Sequence, residues 1–185
     1  MTRIAVIVGS TRPGRTAEPV ADWVHEHASR RTDARFELVD IADQDLPLLD
    51  EPLPPAMGQY SQEHTQAWSA KIASYDGFVF VTPEYNHSVP AALKNAVDYL
   101  YAEWNNKSIG FVSYGSAGGT RAVEAWRLIA GELQMADVRA QVFLPFSSDF
   151  GEGATFAPTE SATRALGTVF DQVVAWAQAL KPLRG

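Results

Sequence analysis

The sequence predicts an α/β fold with a doubly wound, five-stranded parallel sheet, and three observations support that prediction. Short runs rich in β-branched and aromatic residues alternate with longer stretches of helical period. Several of those runs are apolar throughout, as strands covered on both faces require. Each closes on a glycine, a proline or a polar turn. A chain of 185 residues is long enough for one such domain spanning 1–185, and no repeat, low-complexity tract or linker divides it.

Ile4–Val8 is the first strand, a continuous apolar run closed by Gly9. Val20, Trp23, Val24 and Ala28 follow at helical spacing, with Thr16 as the expected N-cap and Pro19 tolerated in the first turn. Phe36–Ile41 is the second strand. The proline-rich stretch from Gln44 to Gln59 reads as a long surface loop, and Gln62–Ser74 as a short helix. Phe78–Thr82 forms the third strand and stops at Pro83. Ser88 is expected to cap the next helix, with Pro90 in its first turn and Leu93, Val97 and Leu100 as the buried stripe. Ile109–Tyr114 is the fourth strand, followed by a glycine-rich turn and a helix through Val123, Trp126, Ala130 and Leu133. Val138–Leu144 is the fifth. The last helix carries Leu166, Val169, Phe170, Val173, Trp176, Ala177 and Leu180. At this length the flavodoxin-like strand order 2-1-3-4-5 is expected, and such sheets bind ligands beyond the carboxyl ends of the strands.

Composition excludes several function classes. Fifteen basic against twenty-two acidic residues give a net charge of −7, the wrong sign for a nucleic-acid partner. The absence of cysteine removes disulfides, thiolate metal sites, iron–sulfur clusters and thiol catalysis. Any redox chemistry must therefore come from a bound cofactor. His25, His27 and His64 have no ligand spacing, so no metal is expected. The opening apolar run is too short for a signal peptide or a membrane span, so the expected location is cytoplasmic.

The most unusual loops follow strands one, three and four. The first, Gly9-Ser10-Thr11-Arg12-Pro13-Gly14-Arg15-Thr16, offers hydroxyls, two guanidinium groups and a helix N-terminus. That combination suits one phosphate. It lacks both the Gly-x-Gly-x-x-Gly spacing for a dinucleotide and the Lys-Ser/Thr ending of a P-loop. The second, Thr82-Pro83-Glu84-Tyr85-Asn86-His87-Ser88-Val89-Pro90, presents a rigid turn, a flat ring and an amide, the parts needed beside a planar heteroaromatic. His87 taken alone reads as a solvated loop residue. The third, Ser113-Tyr114-Gly115-Ser116-Ala117-Gly118-Gly119-Thr120-Arg121, permits close backbone approach to a ring edge. A nucleophile elbow at Ser116 would require glycine at 114, where tyrosine stands, so a serine hydrolase is disfavoured.

Together these segments resemble the NADPH-dependent FMN reductase family of flavodoxin-like proteins, which includes quinone, azo-dye and chromate reductases. The resemblance rests on Gly9-Ser10-Thr11-Arg12, on Pro83-Glu84-Tyr85-Asn86 with Pro90-Ala91-Ala92-Leu93-Lys94-Asn95-Ala96, and on Gly115-Ser116-Ala117-Gly118-Gly119. It covers residues 4 to 145. It implies that Ser10, Arg12, Arg15 and Thr16 hold the FMN phosphate and that Pro83, Glu84, Tyr85 and Asn86 line the isoalloxazine. Ser113, Gly115, Ser116, Gly118 and Gly119 then contact its far edge. Many relatives carry a smaller polar residue at position 15.

The implied activity is ping-pong hydride transfer from NADPH or NADH, through FMN, to a flavin, quinone, azo compound or metal oxyanion. No side chain need act as a catalytic acid or base. The resemblance also implies a homodimer or homotetramer, with Tyr99, Tyr101, Trp104 and Trp126 available either to an interface or to the core. A flavodoxin-type electron carrier without NAD(P)H activity and a non-catalytic flavin-binding module are the alternative functions.

Overall fold

The computed structural model describes residues 1–184. Five strands, β1 (Thr2–Val8), β2 (Ala34–Asp40), β3 (Gly77–Pro83), β4 (Ser108–Gly115) and β5 (Ala136–Pro145), form one sheet in the order β2-β1-β3-β4-β5. Every pairing is parallel. The predicted order is therefore correct, with strand ends displaced by one or two residues. β1 starts at Thr2 because Thr2 and Arg3 pair with Ala34 and Arg35 before the apolar run begins.

Helices α1 (Ala17–Ser29) and α5 (Glu160–Leu180) cover one face of the sheet, and α2 (Glu63–Ala73), α3 (Ala91–Asp98) and α4 (Thr120–Glu132) cover the other. Alternation along β1 shows how the core divides. Ile4, Val6 and Val8 pack with Val20 and Val24 of α1 and with Leu166 and Val169 of α5. Ala5 and Ile7 face Trp68, Leu93 and Trp126 on the other side. Burying both faces of a strand removes its side chains from water, at roughly 25 cal/mol per Å² of apolar surface.

Two expectations are corrected, and one open alternative, interface or core for the aromatic residues, is decided. Ser88 does not cap α3. It pairs with Tyr85 across a two-residue turn, the Tyr85 and Ser88 amides each donating to the other's carbonyl at 3.1 Å. The helix begins after Pro90, where the missing amide costs no intrahelical bond. Tyr99, Trp104 and Trp126 are core residues. Each indole N–H has a buried acceptor, Val97 carbonyl for Trp104 at 3.1 Å and Thr82 Oγ1 for Trp126 at 3.3 Å. They are unavailable to an interface, and Tyr101 is half-buried. Trp176, placed on the apolar stripe of α5, is 50% exposed. Leu166, Val169, Phe170, Val173 and Ala177 of the predicted stripe are buried as expected.

The parallel strands deliver the loops after β1, β3 and β4 to one edge of the sheet. Gly9 permits the closest approach among them. Its amide donates to Val81 carbonyl at 2.9 Å, and a Cβ there would sit 2.6 Å from Leu93 Cδ2.

Candidate cofactor site

The three loops bound a cleft of about 260 Å³. Arg12 and Thr16 line it from the first loop, Pro83, Glu84 and Tyr85 from the second, and Tyr114, Gly115 and Ser116 from the third. Phe146, just beyond β5, closes a further side. Ser10 lies fully buried, its Oγ sharing a 2.9 Å hydrogen bond with the Tyr85 phenol and accepting from the Arg12 amide at 3.4 Å. The ring of Tyr85 is thus tied to the first loop.

The second loop is a mirror-image hairpin turn. Asn86 and His87 both take positive φ, 48° and 73°, as the two central residues of a type I′ turn must. Asn86 sits at the exposed turn and does not line the cleft. Glu84 is buried, its side chain only 5% exposed. Its Oε2 accepts the Arg121 amide at 3.0 Å and its Oε1 pairs with the Arg121 guanidinium. Burial pushes the Glu84 carboxyl up, but hydrogen bonds from Arg121 outweigh it and the net shift is downward. Glu84 therefore stays anionic and fastens the second loop to the start of α4. Arg121 also donates to His87 Nδ1 at 3.1 Å, so that nitrogen must be an acceptor.

In the third loop the Ser113 hydroxyl is buried and donates to Gly118 carbonyl at 2.7 Å, with Val142 carbonyl at 3.3 Å as a second partner. It shapes the turn and does not line the cleft. Gly118 and Gly119 are likewise behind the cleft wall, at φ 66° and 74°. A Cβ on Gly119 would lie 2.7 Å from Ser113 Cβ and 2.9 Å from the Tyr114 amide, so only glycine fits. Phe146 donates its amide to Gly115 carbonyl at 3.1 Å. Burial raises the Tyr114 phenol well above the usual tyrosine range, the neighbouring Tyr85 adding to it.

The two arginines of the first loop are in opposite states. Among the described residues, Arg12 has no carboxylate within ion-pair distance, and it is exposed at the cleft. Arg15 faces away, beside Asp40 and Glu18. Its Nη1 donates to Ser10 carbonyl and, at 2.9 Å, to Asp40 Oδ1; its Nη2 pairs with Asp40 Oδ2 and, at 3.0 Å, with Glu18; its Nε reaches Glu18 at 3.1 Å. A free cation, hydroxyls and a flat-walled slot at one strand edge have the chemistry that a phosphorylated aromatic ring requires. A wider depression of about 690 Å³ beside α4 and β5 also has an exposed cation, Arg139, but no aromatic side chain lines it, and Glu124 and Asp137 put carboxylates in its wall. There Arg127 is already bonded to Asp137 at 2.5 Å and to Gln141 at 3.1 Å.

Residues 2–149 match the sequence profile of the NADPH-dependent FMN reductases. The chain belongs to that family. It is 44% identical over 167 residues to an NAD(P)H-dependent FMN reductase of Schizosaccharomyces pombe, covering 89% of this chain and 84% of that one. It is 35% identical over 131 residues to a quinone reductase of Pseudomonas putida, covering 67% of each. Among solved structures, the flavoenzyme FerB of Paracoccus denitrificans superposes with a TM-score of 0.74 at 20% identity, over 97% of this chain and 98% of that one. The protein is accordingly an FMN-dependent oxidoreductase that uses NAD(P)H. Among the described residues no group of side chains could hold a metal ion, and no helix is long and apolar enough to cross a membrane.

The cleft of this reductase includes Tyr114, which the sequence placed in the third loop, and Phe146, which sequence reasoning passed over. Tyr114 is the last side chain of β4 before the glycine turn, and Phe146 follows Pro145 at the end of β5. The strand order alone places both at the ligand edge, and that was the usable signal.

Proposed function

We propose that the cleft seats FMN with its phosphate at Arg12, Thr16 and the buried Ser10 hydroxyl, and its ring system along Pro83, Tyr85, Tyr114 and Gly115. Arg12 carries this assignment: it is the cation at the cleft that no carboxylate neutralises. Bound there, FMN would supply the hydride and electron transfer between NAD(P)H and an acceptor. The chain's own part is positional. Arg12 holds the anionic end by a charge-assisted contact. Glu84, tied to Arg121, fixes the turn that walls the ring. Gly115 and Ser116 line the cleft from the third loop, where a side-chain-poor backbone lets a ring edge come close.

Donor and acceptor alternate at the open side of the cleft, in ping-pong order. The acceptor is a small planar or oxyanionic compound, a quinone being favoured by the relatives. The protein works in the cytoplasm as a single 1–185 domain that assembles as a homodimer or homotetramer. Exposed Leu48, Leu49, Leu53 and Met57 support the assembly, since the segment that carries them is tied to α3 through Asn95.

The test is an absorbance titration of purified, FMN-loaded protein. NADPH added without oxygen is expected to bleach the flavin band, and a quinone to restore it. Steady-state rates at several quinone concentrations should give parallel double-reciprocal lines. A protein that retains no flavin, or a spectrum indifferent to NADPH, would refute the proposal.

A further inference from the structure

The guanidinium of Arg15 has five N–H donors, and the structure provides five acceptor contacts for them: two on Asp40, two on Glu18 and one on the Ser10 carbonyl. No donor is left for a phosphate. The side chain is mostly buried, at 12% exposure. Asp40 ends β2, and its Oδ1 also accepts the Ala42 amide at 2.9 Å. The first loop is therefore strapped, through Arg15, to the exit of the neighbouring strand. The strapped atom is the carbonyl of Ser10, whose hydroxyl holds Tyr85.

We infer that Arg15, Asp40 and Glu18 form a clamp that positions the phosphate loop, so that Arg15 is a positioning residue and Arg12 alone carries the charge that recognises the anion. The inference rests on the proposal that the first loop seats the FMN phosphate.

Electrostatics gives the clamp a signature. One cation and two carboxylates carry a net charge of −1, which repels a bound phosphate. Were Arg15 a direct ligand, Asp40→Asn would remove a repelling charge, release the guanidinium and tighten FMN binding. The clamp requires the opposite. Asparagine keeps an oxygen for the Ala42 amide but turns an N–H toward Arg15, which loosens the loop and weakens FMN. Arg15→Lys separates the two cases again. Lysine preserves a point charge for a phosphate, but its three donors cannot reproduce the planar five-donor fork.

The experiment is fluorescence titration of flavin-free protein with FMN and with riboflavin, which lacks the phosphate, for the unaltered protein, Arg12→Ala, Asp40→Asn, Arg15→Lys and the double variant Asp40→Asn/Arg15→Lys. The clamp predicts that Asp40→Asn and Arg15→Lys each weaken FMN about tenfold. Riboflavin, which has no phosphate for the first loop to hold, should lose clearly less affinity than FMN in both variants. The double variant should bind no worse than the weaker single one, since both changes break one device. FMN affinity that rises in Asp40→Asn, or holds in Arg15→Lys, overturns the clamp while Arg12→Ala still weakens FMN selectively. If Arg12→Ala leaves the preference for FMN over riboflavin intact, the phosphate assignment fails first and the clamp with it.

Discussion

The two ends of the sheet handle charge in opposite ways. At the amino end, Asp76 receives Arg184 at 2.5 Å, Lys181 at 3.6 Å and the Arg3 amide at 2.8 Å. Lys107, only 3% exposed, caps α2 by donating to Ile72 carbonyl at 2.8 Å and Ala73 carbonyl at 3.2 Å. Charges there close against the protein itself. At the carboxyl end, Glu84 and Arg15 are closed in the same way, but Arg12 is left open beside a slot with aromatic walls. Paired charges mark structure, and the unpaired Arg12 marks the place where an anion can be held.

The largest expected effect is at Gly119, the residue on which the carboxyl edge is folded. Gly119→Ala forces a Cβ against Ser113 and the Tyr114 backbone at positive φ. It should cost about 3–4 kcal/mol of stability, read by urea unfolding, and FMN binding should fall with it.

Next is Lys107, whose pKa burial lowers to about 8, Arg184 adding to the shift. Its ordinary value when unfolded is 10.5. Between those values the unfolded chain binds more protons than the folded one, so stability should rise as pH rises from about 8 to 10.5. The full gain is on the order of 3 kcal/mol. Lys107→Met should abolish that slope in chemical unfolding measured at several pH values, and should leave FMN binding unchanged.

Arg12→Ala sharpens the contrast from the other side. It should weaken FMN by about 2 kcal/mol, roughly 30-fold, without changing the unfolding midpoint. Smallest is Arg121→Ala, which strips the buried Glu84 of its cation. Arg121 is 43% exposed, so solvent screening limits the loss to about 1 kcal/mol. The Glu84 carboxyl is lowered in the folded protein, so its contribution is present above the ordinary carboxylate range and is lost as pH falls through the folded value. Arg121→Ala should flatten that acid limb of the unfolding curve.

The sheet was legible because parallel strands buried on both faces leave continuous apolar runs such as Ile4–Val8 and Phe78–Thr82. The three loops were legible because strand order alone carries them to one edge. Local spacing could not show which donors would be free. Glu18, three residues after Arg15, was the one local hint, and the approach of Asp40, twenty-five residues further on, completes the engagement of Arg15 and leaves Arg12 open. Nor did spacing reveal the Tyr85–Ser88 hairpin, because its mirror turn uses Asn86 and His87 where glycine is the usual signal. The burial of Trp104, which belongs to no predicted helix, depends on the gap between helices and sheet, which helical periodicity leaves open.

Amide hydrogen exchange with and without FMN tests the contrast between the two ends most directly. Binding should slow exchange in residues 9–16, 83–88 and 113–119, and leave residues 74–76 and 105–108 as they were. Protection at the amino end, or none in the three loops when FMN is bound, would contradict it.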